Sequence, residues 1–232
     1  MARAAFAVGF DIDHTLCIDN KLERVAFLHL LDWIAADGGR ALGNLSQESA
    51  AIDALLGAQR AGAFSIEEAV NAFARDRGVN SPQSYAERFK HMVMQMVDAF
   101  VVPATDAKAT IEELERREIP VAILSNGWNP LQIAKGRRAG FTGPVLASGT
   151  LGVQKPERAA FAALVEVLGV EAGNCYYVGD DPMADIVGAS NAGLNAVWLD
   201  NEGKRYPADL PPAPNMVASL AELLAIIPAL AV

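Results

Sequence analysis

The chain has 232 residues, is 52% apolar and carries a formal net charge of −9 with a pI near 4.8. An acidic chain with scattered Lys and Arg and no basic run argues against nucleic acid as a partner, because its phosphates would be repelled. The length suffices for one sizeable core and slightly exceeds one compact α/β domain. Two cysteines, Cys17 and Cys175, form neither a metal-type pair nor a disulfide framework, so reduced thiols are expected. The N-terminus reaches Asp11 before any signal-like segment is complete. The longest apolar stretch, 220–232, is interrupted by Glu222 and Pro228. No membrane partner is expected, and the expected location is cytoplasmic.

Residues 4–10 form a short apolar run of the kind found in a parallel strand buried on both faces. It stops at Asp11 and Asp13. Side chains alternate along an extended chain, so these two carboxylates leave the strand end in roughly one direction, with Ile12 turned away. Like charges so close are unfavourable without a cation or proton between them.

Beyond Thr15 the pattern becomes helical. Residues 21–37 repeat apolar positions at helical spacing and end at Gly38-Gly39. Ser65 with Glu68 makes a capping box, and Ser81-Pro82 reads as an N-cap followed by proline at the first helical position. Tyr85, Phe89, Met92, Met96 and Phe100 line one face of the helix that follows, which spacing assigns to core packing. Residues 18–100 are therefore expected to be an all-helical insert, and residues 1–17 with 101–232 the α/β body.

From Pro103 helices and strands alternate. Helices are expected over 104–118, 129–139, 156–168, 182–192 and 216–227, and strands over 120–125, 144–148, 175–179 and 195–199. This rhythm predicts an α/β fold, a doubly wound parallel sheet covered on both faces. Ligands in such sheets bind beyond the carboxyl ends of the strands, where the winding reverses. The polar strand ends therefore belong together: Asp11 and Asp13, then Ser125-Asn126-Gly127, then Lys155-Pro156 before a helix, then Asp180-Asp181 with Asp185. Several acids, one Lys and one Ser at a sheet edge suit phosphoryl transfer. A hard divalent cation would relieve repulsion between a carboxylate and a phosphate dianion, and Mg²⁺, with oxygen ligands and retained waters, needs few carboxylates. Lys155 and Ser125 would hold phosphate oxygens.

The series Asp11-x-Asp13-x-Thr15, Ser125, Lys155-Pro156 and Gly179-Asp180-Asp181-x₃-Asp185 resembles the four motifs of the haloacid dehalogenase superfamily. It covers about two thirds of the chain. The insert directly after the first motif resembles the type-1 helical cap of subfamily I. The resemblance implies a Rossmann-like core and a Mg²⁺-dependent phosphatase acting on a small-molecule phosphate monoester through an aspartyl-phosphate. Asp11 would be the nucleophile and Asp13 the acid and base. Ser125, Asn126 and Lys155 would serve phosphate and substrate. The metal would sit on Asp11, the Asp13 backbone carbonyl and Asp180, with Asp185 and Thr15 behind them. Asp13 disfavours a 2-haloacid dehalogenase, since dehalogenases of the family lack an acid there. The same motifs would also serve a phosphomutase on this scaffold, and a non-catalytic binding module could keep the same fold.

Two positions depart from the family pattern. His14 stands where many relatives have Gly, and Asp181 reads either as a turn residue before Pro182 or as a further metal ligand. Residues 124–132 are also similar to a stretch in nucleotide and acylsugar 9-phosphate phosphatases, which leaves Trp128 as pocket wall or helix-start packing. His29, His91, Lys21 and Arg24 are read as helix-surface residues, and Cys17 as inert because nothing basic adjoins it in sequence.

Overall fold

The computed structural model describes residues 5–200 and 203–227. Its eight strands are β1 (Ala7–Phe10), β2 (Cys17–Asp19), β3 (Val101–Pro103), β4 (Val121–Ser125), β5 (Val145–Ala147), β6 (Cys175–Gly179), β7 (Asn195–Leu199) and β8 (Asn215–Val217). Six of them form one parallel sheet in the order β5-β4-β1-β6-β7-β8. The chain leaves β1 to build outward through β4 and β5, then returns to its other side for β6, β7 and β8. β1 is thus the switch point, and its C-terminal end opens into the crevice where such sheets bind ligands. All four β1 residues are buried, which explains why the strand is apolar without alternation.

The described residues divide into two compact units, one running to Asp19 and resuming at Val101, the other spanning Asn20–Phe100. The second unit is built from helices α1 (Leu22–Ala36), α2 (Leu45–Arg60), α3 (Ile66–Asp76) and α4 (Gln83–Phe100). Capping boxes start α2 at Asn44 with Gln47 and α3 at Ser65 with Glu68, each satisfying orphan N–H groups of the first turn. Phe27 packs against Phe73 and Phe89 at ring-centroid distances of 5.1 and 4.7 Å. The buried Arg77 pairs with the buried Glu48 and lies over the Phe73 ring.

In the first unit, α5 (Ala107–Arg116), α6 (Leu131–Arg138), α7 (Ser148–Leu151), α8 (Arg158–Leu168), α9 (Gly188–Asn191) and α10 (Leu220–Ile226) connect and cover the strands. Phe161 and Leu164 of α8 are fully buried with Tyr177 of β6, and the Phe161 and Tyr177 rings meet edge to face at 5.1 Å.

Several expectations shift. Ile18 and Asp19, read as the start of the helical insert, belong to the antiparallel ribbon β2–β3. The buried line of α4 runs through Tyr85, Phe89, Val93 and Val97, while Met92, Met96 and Phe100 are half-buried; strict i, i+4 spacing keeps the valines on the core side. The segment expected as one helix over 182–192 is a π-helical turn, Pro182–Val187, followed by α9. The closing helix is confined to Leu220–Ile226, since Asn215–Val217 is the edge strand β8, too short to announce itself by alternation. Ala4 of the first apolar run, and Pro228 with the rest of the terminal one, lie outside the described residues. No helix among the described residues is long and apolar enough to cross a membrane.

Candidate active site

β1 ends at Phe10, where its register neighbours are Ile123 of β4 and Val178 of β6. The next residue, Asp11, is still in strand hydrogen bonding, donating its N–H to Val178 O at 2.9 Å. The chain then folds back: Ile12 O accepts from the N–H groups of Thr15, Leu16 and Cys17. His14 takes the left-handed conformation in this turn (φ 59°) and donates its N–H to Cys17 O at 2.7 Å. A glycine would adopt that φ without strain, so His14 holds its place in the turn at a backbone cost that glycine would not incur.

Two strand ends, those of β1 and β6, bring the expected acids together. One carboxylate oxygen each from Asp11, Asp180 and Asp185 lies within 4.8 Å of the others. Lys155, 4% exposed, donates to Asp11 Oδ1 at 2.6 Å and to Asp185 Oδ1 at 2.7 Å. Asp185 also accepts from the Asp181 N–H at 3.0 Å. Gly179 is required here, because a Cβ on it would collide with the Asp185 carboxylate. Tyr177 donates its hydroxyl to Leu124 O at 2.7 Å and reaches Asp185 Oδ1 at 3.5 Å. Asp180 is reached by Lys204 Nζ at 3.4 Å, and its carbonyl accepts from Trp198 Nε1 at 2.9 Å.

The electrostatics follow from burial. Desolvation, opposed by Lys155 but reinforced by Asp185 and Asp13, pushes the Asp11 carboxyl up to about 7. Desolvation and the Asp11 charge push Asp180 up to about 6 against Lys204 and His14. Burial also raises Asp185. Burial would lower Lys155, but Asp11 and Asp185 outweigh it and hold the ammonium well above its usual range. One buried ammonium faces a set of three carboxylates whose charges it does not fully balance. An all-oxygen donor set with surplus negative charge fits a hard divalent cation.

Asp13 points elsewhere. Its Oδ1 accepts from Lys135 Nζ at 2.7 Å, and Gln132 Nε2 lies 3.4 Å from its Oδ2. Lys135 also pairs with Asp19 at 2.6 Å. The Asp13 carboxylate is therefore held toward α6 and is not among the three carboxylates grouped around Lys155. Ser125 ends β4 and is 1% exposed. Asn126 accepts the Lys155 N–H at 2.9 Å and donates to Lys155 O at 2.8 Å. Both ends of its amide are thus committed to the Lys155 backbone. Thr15 Oγ1 is buried with no hydrogen-bond partner among the described residues.

Asp181 is outside the carboxylate cluster. Its Oδ1 accepts from Met183 and Ala184 N–H at 2.8 and 2.7 Å, capping the π-helical turn. Trp128 is buried ahead of α6, where its carbonyl accepts from Gln132 N–H. Burial pushes the Cys17 thiol up to about 12, so it is inert at neutral pH. His29 and His91 are exposed, and Arg24 pairs with Asp53 at 2.7 Å. Lys135, Gln132, Tyr177, Lys204 and Trp198 are site residues that the sequence alone does not single out. Only Lys135 and Gln132 leave a trace in it, as polar residues on the expected helix beside the second motif.

The model of the haloacid dehalogenase-like hydrolases matches residues 7–193. The chain belongs to this family. The chain is 34% identical over 145 residues to N-acylneuraminate-9-phosphatase of Mus musculus, covering 60% of this chain and 54% of that protein. It is 38% identical over 98 residues to phosphoserine phosphatase of Thermus thermophilus, covering 41% and 39% of the two. The chain thus spans about half or less of the length of these curated relatives. Its fold is shared with 2-haloacid dehalogenase from Pseudomonas syringae, with a TM-score of 0.72, 24% identity, and 96% and 98% of the two chains covered.

Proposed function

We propose that this family member is a Mg²⁺-dependent phosphatase that hydrolyses a small-molecule phosphate monoester. The observation that carries the reading is Lys155 bridging Asp11 and Asp185, with Asp180 completing a cluster within 4.8 Å. The similarity to N-acylneuraminate-9-phosphatase and phosphoserine phosphatase supports a phosphorylated metabolite as substrate.

Asp11, Asp180 and the Asp13 backbone carbonyl would hold the cation, with Asp185 behind them. Bound there, Mg²⁺ supplies positive charge that lets a carboxylate approach a phosphate dianion. In the first step an Asp11 carboxylate oxygen bonds to phosphorus as the ester P–O bond breaks, and Asp13 gives its proton to the departing alkoxide. In the second, Asp13 takes a proton from water as that water attacks phosphorus. The bond to Asp11 breaks, and phosphate leaves with Asp11 restored. Lys155 and Ser125 bind phosphate oxygens, and Asn126 seats the Lys155 loop. We assign leaving-group recognition to a cap role for residues 18–100, and the chemistry to the core of residues 1–17 and 101–232.

The experiment is release of inorganic phosphate from para-nitrophenyl phosphate with Mg²⁺, then a screen of phosphorylated metabolites. Phosphate release that EDTA stops and Mg²⁺ restores is expected. Metal-independent halide release from a 2-haloacid, or isomerisation of a sugar phosphate without net phosphate release, would overturn the reading in favour of a dehalogenase or a mutase.

A further inference from the structure

We propose that Lys135, assisted by Gln132, is a positioning residue for the Asp13 carboxylate. The inference rests on the phosphatase reading above, in which Asp13 exchanges protons with the leaving group and with water. Lys135 is a lysine on α6 whose side chain is 2% exposed, and it reaches Asp13 Oδ1 at 2.7 Å and Asp19 Oδ2 at 2.6 Å. The two aspartates come from opposite ends of the turn that follows β1, Asp13 two residues past Asp11 and Asp19 at the end of β2. One ammonium thus ties both sides of that turn to α6. Asp13 is the less buried partner, its side chain 32% exposed, so without Lys135 nothing in its own burial would select one rotamer.

Gln132 adds a second observation. It is 2% exposed, one turn before Lys135 on the same helix, and its Nε2 faces the other Asp13 oxygen at 3.4 Å. Its Oε1 is buried with no hydrogen-bond partner among the described residues. Buried acceptors are rarely left unpaired, and apolar packing alone would be served better by leucine or methionine. The amide has its donor end toward Asp13. Gly127 makes room for it, since a Cβ there would collide with the Gln132 amide. Two donors of one helix grip the two oxygens of one carboxylate, which fixes its direction.

A double-mutant cycle in the full chain tests this, comparing wild type, Lys135→Met, Asp13→Asn and the double variant. Single-turnover hydrolysis of para-nitrophenyl phosphate with Mg²⁺ keeps the slow variants measurable. Lys135→Met is expected to lower the rate about 10- to 100-fold with KM nearly unchanged, and to lower it less than about threefold in the Asp13→Asn background. Equal losses in both backgrounds would mean that Lys135 acts without Asp13 and would overturn the proposal, as would no loss in wild type. Should Lys135→Met fail to fold, Gln132→Met is judged by the same criterion with a smaller expected loss of about 3- to 10-fold. An Asp13→Asn variant as active as wild type would overturn both the acid–base assignment and this inference. An impaired Asp13→Asn with additive losses would overturn this inference alone.

Discussion

Lys155 Nζ lies 2.6 Å from Asp11 Oδ1, both groups buried at the end of the central strand. In a site out of contact with bulk water, such a pair would normally be a closed ion pair. Here the same ammonium also reaches Asp185 at 2.7 Å, with Asp180 within 4.8 Å of both carboxylates. The lysine is shared, and Asp11 remains an acid whose ionisation burial opposes. That surplus of negative charge is what a divalent cation would relieve, and it leaves Asp11 available to react.

Asp11→Asn is expected to lower turnover by about 10³-fold or more, because an amide cannot form the acyl phosphate. The fold should survive, since the substitution removes a charge that burial disfavours. Residual activity within about tenfold of wild type, with a wild-type circular dichroism spectrum, would rule Asp11 out as the nucleophile.

Protons and metal should compete for the cluster. With Asp180 raised to about 6 and Asp11 to about 7, Mg²⁺ must displace protons below those values. Apparent Mg²⁺ affinity, measured by calorimetry, should rise with pH up to about 7 and then level off. The stability sign is opposite for the metal-free protein. Its raised acids bind more protons folded than unfolded between their ordinary pKa and about 7, so unfolding free energy falls as pH rises through that window. The melting temperature without metal should drop from pH 5 to pH 8, and added Mg²⁺ should raise it more at pH 8 than at pH 5. A metal shift independent of pH would contradict the raised acids.

Whatever sits next to a strand is legible in the sequence. The end of β1 at Asp11, Ser125 after an apolar run and Asp180 beyond Gly179 are local signals, and strand alternation with helices places them at one edge without coordinates. Lys135 cannot be read this way. It lies 122 residues from Asp13 in sequence, and only the α6 packing brings them together. Asn126 is legible as a site residue, but its commitment to the Lys155 backbone depends on where a later loop returns. Short elements with few neighbours in sequence, β2, β3 and β8, have no periodicity to betray them.

Gly179→Ala probes the placement of Asp185. The new Cβ would meet the Asp185 carboxylate, and β6 cannot retreat because it is paired with both β1 and β7. Asp185 must then move, and Lys155 loses one of its two partners. A stability loss of about 1–3 kcal/mol is expected from overpacking, together with weaker Mg²⁺ binding. Unchanged stability to urea and unchanged Mg²⁺ affinity would show that Asp185 does not need its observed position.

Asn126→Ala separates seating from substrate contact. The amide makes two hydrogen bonds to the Lys155 backbone, at 2.8 and 2.9 Å, in a part-buried setting. Each such bond contributes about 0.5–1.5 kcal/mol net, so losing both should loosen the Lys155 loop by about 1–3 kcal/mol. If Asn126 acts through Lys155, the variant should raise KM and the inhibition constant of inorganic phosphate about 5- to 100-fold, with a smaller effect on kcat. Placed in a Lys155→Ala background, the same substitution should then change little, because the ammonium it seats is already gone. A full additional loss in that background would instead assign Asn126 a direct contact with the substrate, since the two effects would then be independent.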